Sequence, residues 1–195
     1  MIKKLALIIG FIICLSSCGK DYVYRIEGEL SNLEDQTVYA VFEKDNYKVV
    51  DTVACTKPGQ FQIDQNEAGF HCVTIFFADK EHWVTAYLEP GETVKITGDA
   101  NSPLLLQVKG GRTNDKLTAF KKKIAPLLTE LTNLSNSLNS KDLNDTIEET
   151  DIAARLANVN MQLSEEAIRY VKENPNEEAS VVLIQSFFSD PDDTR

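Results

Sequence analysis

Between Tyr22 and Lys109 apolar residues recur at a period of two, and beyond Gly110-Gly111 the spacing changes to alternating threes and fours. Each period permits one kind of element. A period of two sends successive side chains to opposite faces of a strand, whereas threes and fours gather them on one side of a helix. The chain is therefore expected to divide into a β half and an α half that meet at the paired glycines.

In the first half, Tyr22, Tyr24, Ile26 and Leu30 share one face while Arg25, Glu27 and Glu29 share the other, which marks a half-buried strand. Asn32 to Gln36 is polar enough for a turn, and Thr37 to Phe42 follows as a second strand. Tyr47 to Ala54, rich in Val, and Gln60 to Asp64 flank Lys57-Pro58-Gly59-Gln60, so a hairpin is expected there. Phe70 to Ala78 is almost continuously apolar, the pattern of a central strand buried on both faces. Trp83 to Glu89 and Thr93 to Thr97 flank Pro90-Gly91 as a further hairpin, and Leu104 to Val108 closes the set. About seven to eight short strands at regular spacing predict an antiparallel β-sandwich over 22–110, with a barrel as the other way to close such a set.

In the second half, Thr113 or Asn114 can cap a helix. Its stripe is Leu117, Phe120, Ile124, Leu127, Leu131, Leu134 and Leu138. Pro126 lies inside that stripe and lacks a backbone donor, so a kink or a break into two helices is expected. Asn139 to Asn144 turns the chain, and Ile152, Leu156, Val159, Leu163 and Tyr170 lie on one side of the next helix. Asn174-Pro175-Asn176 stops it; Ala179 to Phe188 begins another, ended by Ser189-Asp190-Pro191. The region 111–195 reads as a helical arm, an intramolecular α-helical hairpin in preference to a coiled-coil dimer, and the whole chain as α+β.

Ahead of these elements stands Lys3-Lys4, followed by a run from Leu5 to Leu15 that is apolar apart from Gly10. It is shorter than the roughly 20 residues a bilayer span needs, and it fits the core of an export signal over 1–17. Leu15-Ser16-Ser17-Cys18 resembles a bacterial lipobox. That resemblance implies a thioether-linked diacylglycerol on Cys18, cleavage before it and acylation of the new amine. Two acyl chains suffice for stable anchoring. Cys18 is thus the expected lipidation site, with 18–21 as anchor and short tether. Gly19 carries no charge, so the acidic residue that retains many lipoproteins in an inner membrane is absent. Lys20-Asp21 reads either as a polar linker or as a charged tether towards the cell surface. The expected location is the outer membrane, on its periplasmic or surface side.

Chemistry is hard to find. The net charge of −10 argues against a nucleic-acid partner, and Lys121-Lys122-Lys123 reads as a solvated helix face. Of the four cysteines, Cys14 leaves with the signal and Cys18 carries lipid. Cys55 and Cys72 remain in an exported, potentially oxidising compartment; they either pair as a disulfide or stay as two buried, inert thiols. His71 and His82 are too few for a recognisable metal site. No phosphate-cradling glycine loop or Gly-x-Ser-x-Gly elbow occurs, and no Cys-x-x-Cys follows the signal. No catalytic residue, metal or cofactor is expected. The aromatics Phe70, Phe76, Phe77, Trp83 and Tyr87 read as sandwich core or as the lining of a ligand groove.

The segments Tyr24-Arg-Ile-Glu-Gly-Glu-Leu30, Asp51-Thr-Val53, Gly59-Gln-Phe61 and Tyr87-Leu-Glu-Pro-Gly-Glu-Thr-Val-Lys-Ile-Thr-Gly98 resemble the DUF4369 family. Gly111-Arg-Thr-Asn-Asp-Lys-Leu117 and Tyr170-Val-Lys-Glu-Asn-Pro-Asn176 resemble the helical linker that accompanies it. The resemblance covers nearly all of the mature chain. It implies the N-terminal module of a Bacteroidetes lipoprotein whose C-terminal half is a thioredoxin-like thiol–disulfide oxidoreductase. There a Trp-Cys-x-x-Cys motif does the redox work; neither Cys55 nor Cys72 matches it. The leading expectation is a non-catalytic, lipid-anchored envelope module that positions a partner or a thioredoxin-like domain at the membrane. The alternatives are a thiol–disulfide oxidoreductase whose catalytic domain would follow residue 195, and a glycan- or ligand-binding surface lipoprotein.

Overall fold

The computed structural model describes residues 22–34, 37–45, 47–77, 82–140 and 146–188. The expected signal and the Cys18 lipidation site lie outside these residues, as does Ser189-Asp190-Pro191. The β half holds β1 (Tyr24–Ser31), β2 (Thr37–Lys44), β3 (Tyr47–Ala54), β4 (Gln60–Gln65), β5 (Cys72–Phe76), β6 (Trp83–Tyr87), β7 (Thr93–Asp99) and β8 (Gln107–Lys109). They form two four-stranded sheets in the orders β4-β1-β7-β8 and β3-β2-β5-β6. This is the expected sandwich.

The alternation sets which face is buried. Tyr24, Ile26, Gly28 and Leu30 of β1 point inward beside Phe61 and Ile63 of β4, and Val38, Ala40 and Phe42 of β2 face them with Val73 and Ile75 of β5. Gly28 is part of that packing. A Cβ on it would lie 2.2 Å from the Phe61 ring, so the absent side chain is the space the ring occupies.

Strand pairing departs from expectation at both foreseen hairpins. The turns are real: Gly59 has φ 75°, Gly91 has φ 82°, and Gln60 N–H donates to Lys57 O at 2.9 Å. Each, however, carries the chain from one sheet to the other. β4 leaves β3 and pairs antiparallel with β1, matching Ile63 to Ile26. β7 leaves β6 and pairs with β1 in parallel, the one departure from antiparallel pairing among the described strands. A turn signal reports that the chain reverses; its pairing partner depends on which inward face must meet which, a nonlocal condition. Two smaller corrections follow. Pro103–Leu105 is a single 3₁₀ turn, leaving only Gln107–Lys109 as the closing strand. On β5, Val73 and Ile75 are fully buried but Cys72, Thr74 and Phe76 on the other face are half-buried.

The α half holds α1 (Arg112–Lys123), α2 (Ala125–Ser140), α3 (Thr146–Glu173) and α4 (Glu178–Phe188). The stripe breaks at Ile124, with Pro126 in the first turn of α2, where a missing N–H costs no helical hydrogen bond. α2 and α3 pack antiparallel: Glu130 of α2 meets Arg155 early in α3, while Lys123, at the end of α1 just ahead of α2, meets Glu166 late in α3. Phe120, Ile124, Leu128, Leu134, Ile152, Val159, Leu163, Ala167 and Leu183 form a second core. No described helix is long and apolar enough to cross a membrane.

Candidate functional site

A sandwich leaves open edges, and unpaired strand edges must be covered or satisfied. At one seam the edge strands are β6 of one sheet and β8 of the other. Helix α1 lies across both. The Asn114 side chain accepts a hydrogen bond from Tyr87 N–H at 2.9 Å and donates to Tyr87 O at 2.7 Å and to Gly110 O at 2.6 Å. Its amide thus replaces the peptide group of a neighbouring strand. One turn later the Thr118 hydroxyl accepts from Val108 N–H at 3.1 Å and donates to Val108 O at 2.6 Å. Residues four apart share a helix face, and these two are buried at 2% exposure each. One polar face of α1 therefore satisfies both open strands.

Neither Thr113 nor Asn114 caps α1, contrary to expectation. Gly111 holds the N-cap position at φ 80°, and Glu89 Oε1 accepts the Arg112 N–H at 2.7 Å. Gly110, at φ 99°, passes so close to β7 that a Cβ would meet Thr93 O at 2.1 Å. Thr113 instead donates to Glu178 Oε2 at 2.7 Å, and the Arg112 guanidinium reaches Glu177 Oε1 at 2.9 Å, with Lys116 at 3.6 Å. The hydrogen bond from Arg112 holds the Glu177 carboxyl below its ordinary range, helped by Lys116. The start of α4 is thereby tied to the start of α1.

Beside this seam, the outer face of β6, the 3₁₀ turn, α1 and α4 enclose a cleft of about 320 Å³. Trp83, Leu104, Leu117, Phe120 and Phe187 line it, with the hydroxyl groups of Thr85, Tyr87 and Ser186. Burial pushes the Tyr87 phenol up to about 12, so it stays protonated. Among the described residues, Lys121 is the one charged residue in the lining. The outward side of α4 presents Val181, Ile184 and Phe188, each about half exposed at 52%, 45% and 48%.

The structure divides the aromatic set. Phe70 and Phe77 are core at 2% exposure, while Phe76, Trp83 and Tyr87 stand on the outer face of their sheet. The core reading holds for Phe70 and Phe77; of the other three, Trp83 and Tyr87 line the cleft and Phe76 does not. The three lysines divide as well. Lys123 pairs with Glu166 as a surface residue does, but Lys121 is turned under, into the cleft. It escaped notice as part of a charge run; its spacing, four after Leu117 and three before Ile124, places it on the flank of the apolar stripe.

Cys55 and Cys72 are both half-buried and form no disulfide with each other. The register explains why the disulfide left open by the sequence is not made. On β2, Ala54 lies opposite Thr37 and Cys72 opposite Glu43, which separates the two cysteines by roughly 20 Å along the strand at about 3.4 Å per residue. A disulfide needs Cα atoms within about 7 Å. Burial, then the Glu43 carboxylate, pushes the Cys72 thiol up, the reverse of what a reactive thiol requires. His71 lies against Asp45 at 3.2 Å, and the hydrogen bond from Phe77 N–H to His82 O sets His82 at the far end of the β5–β6 pair. Among the described residues no group of three or more His, Cys, Asp or Glu side chains could hold a metal ion.

The family model for a domain of unknown function, DUF4369, matches residues 24–117. This stretch is a DUF4369 domain. The DUF4369 domain opens on the first residue of β1 and runs past Gly110-Gly111 into α1, so Asn114 belongs to it along with the strand edge that it satisfies. The cleft straddles its limit: Trp83, Leu104 and Leu117 lie within the DUF4369 domain, Phe120, Lys121 and the α4 wall beyond it. No curated protein and no solved structure matches the chain.

Proposed function

We propose that this chain is a non-catalytic, lipid-anchored module of the cell envelope that holds a protein partner near the membrane. The observation that carries the reading is the uncovered apolar side of α4. Val181, Ile184 and Phe188 recur at helical spacing and stand half exposed on an element whose opposite side is packed. A helix apolar on every side ordinarily has every side covered, and an exposed apolar patch on a soluble face marks a contact surface. The arm that bears it is braced on the sandwich through Asn114 and Thr118 of α1, to which Thr113 and Arg112 tie the start of α4. A partner on α4 is therefore held in a set relation to the DUF4369 domain. The lipobox-like Leu15-Ser16-Ser17-Cys18 supports attachment to the membrane by Cys18, four residues ahead of the first described one. A thioredoxin-like domain is the partner that the sequence resemblance implies.

Photo-crosslinking from position 184 in living cells tests this. The control is the same crosslinker at Val50, which is more exposed at 63% but stands on β3, at the opposite edge of its sheet from β6. A discrete adduct from 184 that is absent from 50 and lost with Val181→Asp is expected. Identical diffuse labelling from both positions would contradict the reading.

A further inference from the structure

We propose that the cleft between β6, α1 and α4 binds a small amphipathic anion, a single-chain carboxylate whose tail lies against Trp83, Leu117, Phe120 and Phe187 and whose carboxylate meets the Lys121 amine. This goes beyond the partner-holding role and does not depend on it.

Size comes first. At about 320 Å³ the cleft falls at the small end of the range for ligand sites, enough for one chain and not for a two-chain lipid. Its chemistry is mixed in a particular way. Aromatic and aliphatic side chains from β6, the 3₁₀ turn and helices α1, α2 and α4 supply the walls, and no carboxylate among the described residues joins them. Among the described residues, the only charged one lining the space is a cation, Lys121.

That cation is unmatched. Lys116 reaches Glu177 and Lys123 reaches Glu166, whereas Lys121, between them on the same helix, makes no hydrogen bond or ion pair among the described residues. It borders a second, smaller hollow beside Leu105, Leu106 and Thr118, and no carboxylate among the described residues lines that one either. Burial alone pulls the Lys121 amine below its ordinary range. An ammonium taken out of water without a counter-charge destabilises the fold. A bound carboxylate removes that penalty and forms a charge-assisted hydrogen bond in its place. An apolar space with one unpaired cation on its wall has the complementary form of a fatty carboxylate.

The chain's single tryptophan lies in the lining, so occupancy is directly readable from its fluorescence. The purified chain bearing Cys18→Ser, which has no acyl group of its own to compete, is titrated at neutral pH below micelle-forming concentrations. The probes are decanoate, decanol and decyltrimethylammonium, and separately vesicles of phosphatidylglycerol. Decanoate is expected to change Trp83 emission saturably and to bind more tightly than decanol, with decyltrimethylammonium weakest. Lys121→Met should weaken decanoate roughly tenfold or more, the loss of one charge-assisted hydrogen bond, and leave decanol unchanged. Lys121→Arg should retain decanoate binding. Absence of a saturable response, equal binding of the three probes, or an unchanged Lys121→Met titration would overturn the proposal. A response to vesicles without one to monomeric decanoate would overturn it too, and point to a membrane-facing surface. Because no partner protein is present, failure here leaves the α4 contact surface untouched.

Discussion

Asn114 is where a side chain does a backbone's work. Its amide gives and takes the two hydrogen bonds that a further strand would offer Tyr87, at 2.9 and 2.7 Å, from a site 2% exposed. Replacing it with Ala leaves a peptide N–H and two carbonyls without that partner in a place water does not reach. Asn114→Ala should therefore cost about 3 kcal/mol, since a buried polar group left unsatisfied costs about 1–3 kcal/mol. Thr118→Val, nearly equal in shape, should cost about 1–3 kcal/mol by the same reasoning. Urea midpoints measure both, and amide hydrogen exchange at Tyr87 and Val108 should quicken. Unchanged midpoints would mean that the seam closes without these side chains. The residue was visible in the sequence, but as a helix cap; nothing local says that an edge strand 27 residues earlier in the chain needs a partner. Lys121 was hidden for a similar reason. A run of three lysines looks solvated until the helix phase is used to ask which one faces inward.

At the scale of elements, what depends on neighbours in sequence was legible and what depends on distant pairing was not. The strands, the break near Pro126 and the stop at Asn174-Pro175-Asn176 each follow from local spacing, turn chemistry or a missing donor. The crossings at Gly59 and Gly91 required knowing that β1 sits between β4 and β7. The joint of α4 to α1 was equally out of reach, because Glu177 and Arg112 lie 65 residues apart. That joint should respond to acid. The Arg112 hydrogen bond lowers the Glu177 pKa from its ordinary 4.5, so its contribution is complete above that value and is lost as pH falls through the lowered folded value. Glu177→Gln should be less stable than the parent at pH 6, and the gap should narrow as pH drops towards 3. Urea midpoints across that range decide it: a gap that stays constant would show that the ion pair contributes no pH dependence.

At the scale of the molecule, two cores are joined through α1, with Leu105 of the 3₁₀ turn also packed on the helical one. The sandwich core of Tyr24, Phe42 and Ile75 is separate from the helical core of Phe120, Val159 and Leu163, and α1 belongs to both regions, satisfying strand edges with Asn114 and Thr118 and burying Phe120 among the helices. The DUF4369 domain includes the first half of that helix, so it runs past the change of period at Gly110-Gly111 and takes in Asn114 but stops one residue short of Thr118. In the proposed reading, a module built this way holds its outward α4 side in place and is attached to the membrane at its other end. The central claim is that this attachment is lipid on Cys18. The intact mass of the native protein, extracted in detergent from its own membranes, tests it most directly. A chain that begins at Cys18 and carries acyl groups is the predicted result; a mass that contains no acyl group would contradict it.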